Sequence, residues 1–254
     1  MTEQDIADGT RMIDRYNTLI RQAEDFRRHG EDGSADAALA LAVKIMMKHD
    51  IDAAVAAARA RTDQREPIVI EWLPFEGIYR VVLATRFDML VRAYTSTCRT
   101  FISIERQGKT HKLAVVGVKS EIERVQTLVT SLHLQTIGRL NLWWRSYPGR
   151  LDLTPMQGYK ARRQYAASFV DGAIERVTRA RGSVLSDAKP GTELVLRDRR
   201  ADVDAYVDEN FNLRPHRTRM DPGHVDAIHD GYRDGRQANT GETPVRTDRR
   251  TIEG

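Results

Sequence analysis

Residues 99–118 read R-T-F-I-S-I-E-R-Q-G-K-T-H-K-L-A-V-V-G-V, and this stretch decides the fold class. Apolar residues alternate with polar ones over residues 99–105 and again over 111–118, which is the two-residue period of a strand. Gln107-Gly108 lies in a short polar loop between the two runs, so we expect an antiparallel hairpin. A further strand is predicted at residues 67–73, where Pro74 would end it.

Helical periodicity dominates the chain on both sides of the hairpin. After it, an apolar stripe predicts a long helix over residues 121–145, with Ser120 as its N-cap. A second long helix is predicted from Pro155 to residue 181, ended by Gly182. Shorter helices are predicted at residues 79–94 and 224–238, and residues 194–196 either form a short strand or lead into a helix. The predicted fold class is therefore α+β and mostly helical, with a small antiparallel sheet packed against long helices.

Three regions are predicted along the chain. Residues 1–62 form an N-terminal helical unit, and this part of the chain is acidic: residues 1–64 carry 9 Lys or Arg against 12 Asp or Glu. Residues 67–238 form an α+β domain with the long helices. Residues 239–254 are polar, and we expect a flexible tail.

Composition narrows the compartment and the class of protein. Cys98 is the only cysteine, which excludes an internal disulfide and a cysteine-based zinc site. No apolar run approaches the roughly 20 residues that cross a bilayer, and the acidic start Met1–Asp5 is unlike a signal peptide. We therefore expect a cytoplasmic protein without a membrane partner.

No catalytic motif stands out in the sequence. There is no phosphate-binding glycine loop and no pair of histidines at zinc-ligand spacing on one helix face. Cys98, next to a predicted strand, is interpreted as a small buried apolar residue. We expect no cofactor and, on balance, no enzymatic activity.

Acidic residues leave one metal-dependent alternative open. His49-Asp50 and His229-Asp230 resemble the His-Asp steps of metal-dependent phosphohydrolases, although a helix-end histidine followed by a capping aspartate is the favoured interpretation of His49-Asp50. An enzymatic function would require the fold to bring Asp198, His229 and Asp230 together. A second possible metal cluster consists of the carboxylates of Asp198, Asp202 and Asp204. Arginines alternate with these residues in the sequence, which favours a salt-bridged face instead.

Residues 139–181 form the most distinctive stretch, with nine basic residues against three acidic ones. Cations neutralise phosphates and exposed aromatic rings stack on unpaired bases, so this composition is typical of nucleic-acid binding. The alternative is that Trp143, Tyr165 and Phe169 are core residues and the arginines only line a solvated face. The residues that we assign to nucleic-acid binding gather around the turn between the two long helices: Arg145, Arg150, Lys160, Arg162 and Arg163.

Several segments resemble a known family. Residues 42–54 contain A-V-K-I-M-M-K-H-D-I-D-A-A, residues 128–135 read L-V-T-S-L-H-L-Q, and residues 231–236 read G-Y-R-D-G-R. In these segments the chain resembles the bacterial and phage proteins catalogued as domain of unknown function 2786 with its C-terminal companion region. The resemblance implies this architecture and a distribution among actinobacteria and their phages, and it implies no reaction.

Three classes of function follow as expectations. The first is a non-enzymatic accessory protein of a phage or mobile element that binds DNA or RNA through the basic helical surface. The alternative is a protein-interaction module, in which the N-terminal helical unit docks a host or phage protein. The metal-dependent enzyme with dispersed site residues is the remaining alternative.

Overall fold

A computed structural model describes scattered positions between Arg15 and Ile51, then residues 66–104, 110–213 and 223–238, and Thr240. The elements in chain order are β1 (Ile68–Phe75), α1 (Arg80–Tyr94), β2 (Arg99–Ile104), β3 (His111–Val118), α2 (Lys119–Ser146), a 3₁₀ helix (Pro148–Asp152), α3 (Pro155–Ser186), α4 (Thr192–Asn210) and α5 (Val225–Arg236). The prediction of a mostly helical α+β fold with a small antiparallel sheet is confirmed. No helix in the described part of the chain combines the length and apolar character that crossing a membrane requires.

The three strands form one antiparallel sheet in the order β1-β3-β2. The expectation that Pro74 ends the first strand was wrong, because β1 continues to Phe75 and Pro74 lies opposite Lys112 of β3. Among the described strands β1 pairs with β3 alone, so it is an edge strand. Proline is tolerated there because a residue on the outer side of an edge strand has no neighbouring strand to which its backbone N–H must donate.

The two faces of the sheet pack against different helices. Leu113 and Val115 of β3 belong to the main core, with residues of α1, α2 and α3. Val116 points the other way and packs with Val203 and Val207 of α4. Successive side chains of a strand point to opposite faces, so one nearly continuous apolar strand supplies both layers.

The start of α2 differs from the prediction. Ser120 is not its N-cap, because the helix begins at Lys119 and Val118 occupies the cap without a side-chain hydrogen bond. Instead the Ser120 hydroxyl and backbone N–H donate to Oε2 of Glu66, at 2.7 and 3.2 Å. The carboxylate of Glu66, which precedes β1, therefore accepts from a first-turn N–H of α2, where a local N-cap was predicted.

The end of α3 also differs, since the helix runs through Gly182 to Ser186. A mid-helix glycine costs about 1 kcal/mol relative to alanine, whereas burying a valine side chain contributes about 1.5–3 kcal/mol. Val184 is buried in the core, and its burial outweighs the glycine. At the other end a capping box fixes the first turn: Thr154 accepts from the Gln157 backbone, and the Gln157 side chain accepts from the Thr154 backbone.

Other boundaries follow the predicted pattern or lie outside the description. Residues 194–196 take the helical alternative, because they belong to α4. The Gln107-Gly108 loop, most of the 239–254 tail and the Asp221-Pro222 step lie outside the described residues. The hairpin pairing itself is confirmed, with Ile104 opposite His111 in the antiparallel register.

A close crossing of α5 over α3 closes the fold, and three glycines make it possible. A Cβ added to Gly235 would lie 2.6 Å from the carbonyl carbon of Phe169, and one added to Gly231 would lie closer than 3.0 Å to the carbonyl oxygen of Tyr165. Across the interface, a Cβ on Gly172 would lie 2.7 Å from the backbone nitrogen of Arg236. Real Cβ contacts shorter than 3.0 Å essentially never occur, so the two backbones reach this separation only because these positions lack side chains.

The described N-terminal positions are helical except for a turn at His29, and they contribute to a small cluster of their own and to the main core. Ala23, Ala38 and Ala42 form the small cluster. Met47 is buried in the main core instead. The boundary of the N-terminal unit near residue 62 lies outside the described residues and stays a prediction.

Candidate nucleic-acid interface at the helical hairpin tip

Helices α2 and α3 form a helical hairpin, and its tip, residues 144–163, holds all five residues that the sequence assigns to nucleic-acid binding. Arg145 is exposed in the last turn of α2 and Lys160 is exposed near the start of α3. Arg150, in the 3₁₀ helix, is exposed and its Nη1 donates to the Arg145 carbonyl at 3.4 Å. Three of the five cations are therefore open to solvent at one end of the hairpin.

Arg162 is held in place by a tryptophan. Its guanidinium carbon lies 4.8 Å from the centroid of the Trp144 ring, and its Nε donates to the Gly158 carbonyl at 3.1 Å. Gly158 lets the ring approach α3, because a Cβ there would lie 3.1 Å from the ring edge. Stacking on an aromatic face fixes the orientation of the cation and leaves part of its donor edge available. Arg163 is half-buried and is already engaged within the protein.

Half of the aromatic residues of the stretch are buried in the core. Trp143 is buried, stacks on the fully buried Tyr165 at 4.7 Å between centroids, and donates from Nε1 to Asp230 at 3.0 Å. Phe169 is buried as well. The core interpretation is thus confirmed for these three rings, and the half-buried Trp144, Tyr147 and Tyr159 are the aromatic groups that remain at the tip.

Charge is distributed unevenly over the tip. The Tyr147 hydroxyl donates to Oδ2 of Asp226 at 3.2 Å, and its pKa is raised by desolvation first and then by the carboxylates of Asp226, Asp230 and Asp152. The side of the tip around Tyr147 is therefore acidic, whereas the Trp144 ring is covered by Arg162.

The tip as a whole is basic, because within residues 145–163 Asp152 is the only acidic residue against five basic ones. In the described part of the chain, no carboxylate forms a salt bridge with four of these cations: Arg145, Arg150, Lys160 and Arg162.

The acidic residues that could have held a metal are used in other contacts. Asp198 pairs with Arg197 at 3.8 Å, and Asp204 accepts from Arg99 at 2.9 Å and from Arg200 at 2.8 Å, as the salt-bridge interpretation expects. Over residues 66–104, 110–213 and 223–238 and the described N-terminal positions, no three His, Cys, Asp or Glu side chains lie close enough to share a metal ion. His49-Asp50 lies outside the described residues.

Cys98 is buried beside β3, in contact with Gly117, as its interpretation as a small core residue predicts. Burial raises the pKa of its thiol, and the nearby Glu121 carboxylate raises it further. A thiol in this environment stays protonated near neutral pH, so it lacks the thiolate that nucleophilic catalysis needs.

Sequence reasoning missed a polar network at the opposite end of the hairpin. Glu121, in the first turn of α2, is 7% exposed, and its carboxylate accepts hydrogen bonds from the hydroxyls of Thr95 and Thr97. The Thr97 backbone N–H donates to Oγ1 of Thr95 at 3.1 Å. The only sequence pattern that could have indicated this network is Glu121 itself, a single acidic residue in an otherwise apolar helix stripe.

Comparison with protein-family models, with curated proteins and with solved structures yields no match to this chain. The resemblance to domain of unknown function 2786 therefore stays a prediction, and functional inference rests on the residues described above.

Proposed function

We propose that this protein is a non-enzymatic accessory protein that binds nucleic acid through the hairpin tip. The observation that carries the proposal is the group of four cations, Arg145, Arg150, Lys160 and Arg162, that meet no carboxylate in the described part of the chain. Several surface arginines among the described residues behave differently and pair with acidic residues of their own helix. Cations that are left without internal counter-charges are suited to neutralise phosphates and release condensed counterions.

Non-polar groups at the tip fit the same partner. Leu151 is 84% exposed and Met156 is 63% exposed, and both lie between the cations in sequence. Trp144 presents part of its ring beside Arg162. Exposed apolar side chains insert between base steps in several nucleic-acid-binding proteins, and aromatic rings stack on unpaired bases. The mixture favours single-stranded or distorted nucleic acid over an intact duplex, because only there do the base faces open to such groups.

Salt dependence tests the proposal quantitatively. If four cations each neutralise one phosphate of a single strand, the slope of log K against log salt should be about −3. Fluorescence anisotropy with labelled single-stranded DNA, single-stranded RNA and duplex DNA, titrated at several salt concentrations, measures this slope. Failure to bind any of the three at low salt would refute the proposal.

A matched pair of double variants separates the tip from net charge. Arg150→Gln with Lys160→Gln should weaken binding and reduce the magnitude of the salt slope by about 1.4 on a single strand. Lys189→Gln with Arg197→Gln removes the same charge from exposed positions outside the tip and should leave the slope unchanged. Equal losses in the two double variants would show that only net charge matters, which contradicts a site at the tip.

The exposed apolar side chains also favour a second candidate, a protein partner that docks on the same tip. Replacing Leu151 and Met156 with serine removes apolar area but no charge. If this change abolishes a protein interaction and preserves the salt-dependent binding of nucleic acid, the tip serves two partners. Docking through the N-terminal helical unit, the form of this alternative expected from sequence, stays a prediction.

A further inference from the structure

The loop between α1 and β2 is held rigidly from two sides. On one side, the hydroxyls of Thr95 and Thr97 donate to the buried Glu121 carboxylate. On the other, Nη1 of Arg200 donates to the carbonyl oxygens of Ser96 and Cys98, at 2.8 and 2.9 Å. Loop atoms fixed in this way require no ordering when a ligand arrives, which lowers the entropic cost of binding.

A pocket of about 40 Å³ opens beside this loop. One water needs about 10–15 Å³ by the same kind of measure, so the pocket has room for a small polyatomic group. Its floor is polar because Ser96, Thr97 and Glu121 line it. Met47 and Leu196 add apolar side chains to its lining.

Arginines from three different helices line this pocket. They are Arg124 of α2, Arg181 of α3 and Arg199 of α4, and Glu121 is the carboxylate among the described lining residues. Arg181 is partly buried, and desolvation lowers the pKa of its guanidinium while the Glu121 charge raises it. Its Nη1 donates to the Arg92 carbonyl at 3.4 Å, which sets the direction of the side chain.

Bringing guanidinium groups together at a partly desolvated site is unfavourable unless negative charge compensates them. Among the described lining residues, Arg181 and Arg199 share one carboxylate, Glu121, and two hydroxyl donors already use it. A small anion in the pocket would complete the compensation. Guanidinium groups suit oxyanions especially well, because their planar donor edges match two oxygen atoms at once.

We propose that this pocket binds a phosphate-sized oxyanion, either inorganic phosphate or the terminal phosphate of a nucleotide, with Arg181 and Arg199 as its main ligands. The Ser96 hydroxyl lines the same pocket and supplies a neutral donor. Arg124 and Arg145 are 21 residues apart on α2, about 30 Å at the rise of an α-helix, so the pocket lies far from the hairpin tip. The proposal therefore stands independently of nucleic-acid binding there.

Isothermal titration calorimetry with inorganic phosphate, at constant ionic strength maintained with chloride, tests the site. Wild-type protein should bind phosphate, and Arg199→Gln should weaken binding roughly tenfold to a hundredfold, as expected for the loss of a charged hydrogen bond. Arg197→Gln is the matched control: it lies on the same helix, is exposed and pairs with Asp198. It should bind phosphate as the wild type does.

A direct measurement keeps the test independent of folding effects. The ³¹P resonance of phosphate should broaden with wild-type protein and with Arg197→Gln, but not with Arg199→Gln, whose circular dichroism should stay unchanged. Competition by adenosine monophosphate would identify a nucleotide phosphate as the ligand, and its absence would identify the free anion. Absence of phosphate binding to the wild type, or equal binding to Arg199→Gln and Arg197→Gln, would overturn the proposal.

Discussion

Replacing Gly235 with alanine tests the physical basis of the fold at its tightest point. The new Cβ would lie 2.6 Å from the Phe169 carbonyl carbon and closer still to its oxygen, so α5 would have to move outward. The obstacle is helical backbone, which has no rotamer to change. The overlap is therefore relieved only by separating the two helices on the order of 1 Å, enough to forfeit a quarter to a half of each dispersion contact.

The magnitude follows from what that separation breaks. Overpacking typically costs about 1–3 kcal/mol, and a backbone obstacle belongs at the upper end. The Tyr165 hydroxyl donates to Asp234 at 2.5 Å, and Nη1 of Arg176 donates to the Arg236 carbonyl at 2.9 Å. Stretching such charge-assisted bonds adds about 1–2 kcal/mol, while alanine returns at most about 1 kcal/mol of helix propensity. We expect a net loss of about 2–4 kcal/mol in the free energy of unfolding.

Urea denaturation followed by circular dichroism at 222 nm measures the loss, and hydrogen exchange of the α5 amides detects a helix that detaches locally. Gly182→Ala is the matched control, because Gly182 lies inside α3 and an added Cβ meets no atom within 4 Å. That variant should gain about 0.5–1 kcal/mol. If Gly235→Ala matches the wild type in both urea midpoint and α5 protection, the close helix crossing is refuted.

Three further predictions concern single side chains. Tyr165→Phe deletes the hydroxyl that donates to Asp234 and should lower the free energy of unfolding by about 1–3 kcal/mol in urea melts; an unchanged midpoint would contradict this bond. The buried Cys98 thiol, whose pKa is raised mainly by burial, should react with a thiol reagent only after unfolding, so rapid reaction of the native protein would contradict its position. Burial beside Phe75 lowers the pKa of His133, so the folded state binds its proton less readily than the unfolded state, in which the pKa is about 6.5. Stability should fall as the pH drops through about 6.5, and His133→Leu should reduce that fall; an identical pH profile would show that another group is responsible.

The candidate interface was largely accessible from sequence because its residues are neighbours along the chain. Composition located the cations of residues 139–181, and the turn between two helices predicted that they would share one end of a hairpin. Burial then divided the aromatic rings: Trp143 and Tyr165 joined the core, while Trp144 stayed at the surface under Arg162. The sequence left open whether Trp143, Tyr165 and Phe169 belong to the core or to the basic surface.

The arginine pocket could not be predicted in the same way. Arg124, Arg181 and Arg199 lie on three helices and are separated by long stretches of sequence, and no spacing pattern links the three. Each looks like an ordinary solvent-facing arginine in its own helix. Only the packing of the helices around the loop of residues 95–98 brings the three together.

Local patterning by itself determined the order and kind of the elements in this protein. Alternation of apolar and polar residues predicted the hairpin of β2 and β3, and apolar stripes predicted α2 and α3. These patterns are visible in the sequence because the buried face of a strand or helix recurs at a fixed spacing. Tertiary structure alone decided the positions at which the local conformational preference of a residue is outweighed by a contact elsewhere in the fold. Pro74 stays in a strand because that strand is an edge, Ser120 is bound by Glu66, and Gly182 stays in a helix because Val184 is buried. In each case the deciding free energy comes from a contact between residues or elements that lie far apart in the sequence, so a short segment of sequence does not reveal it.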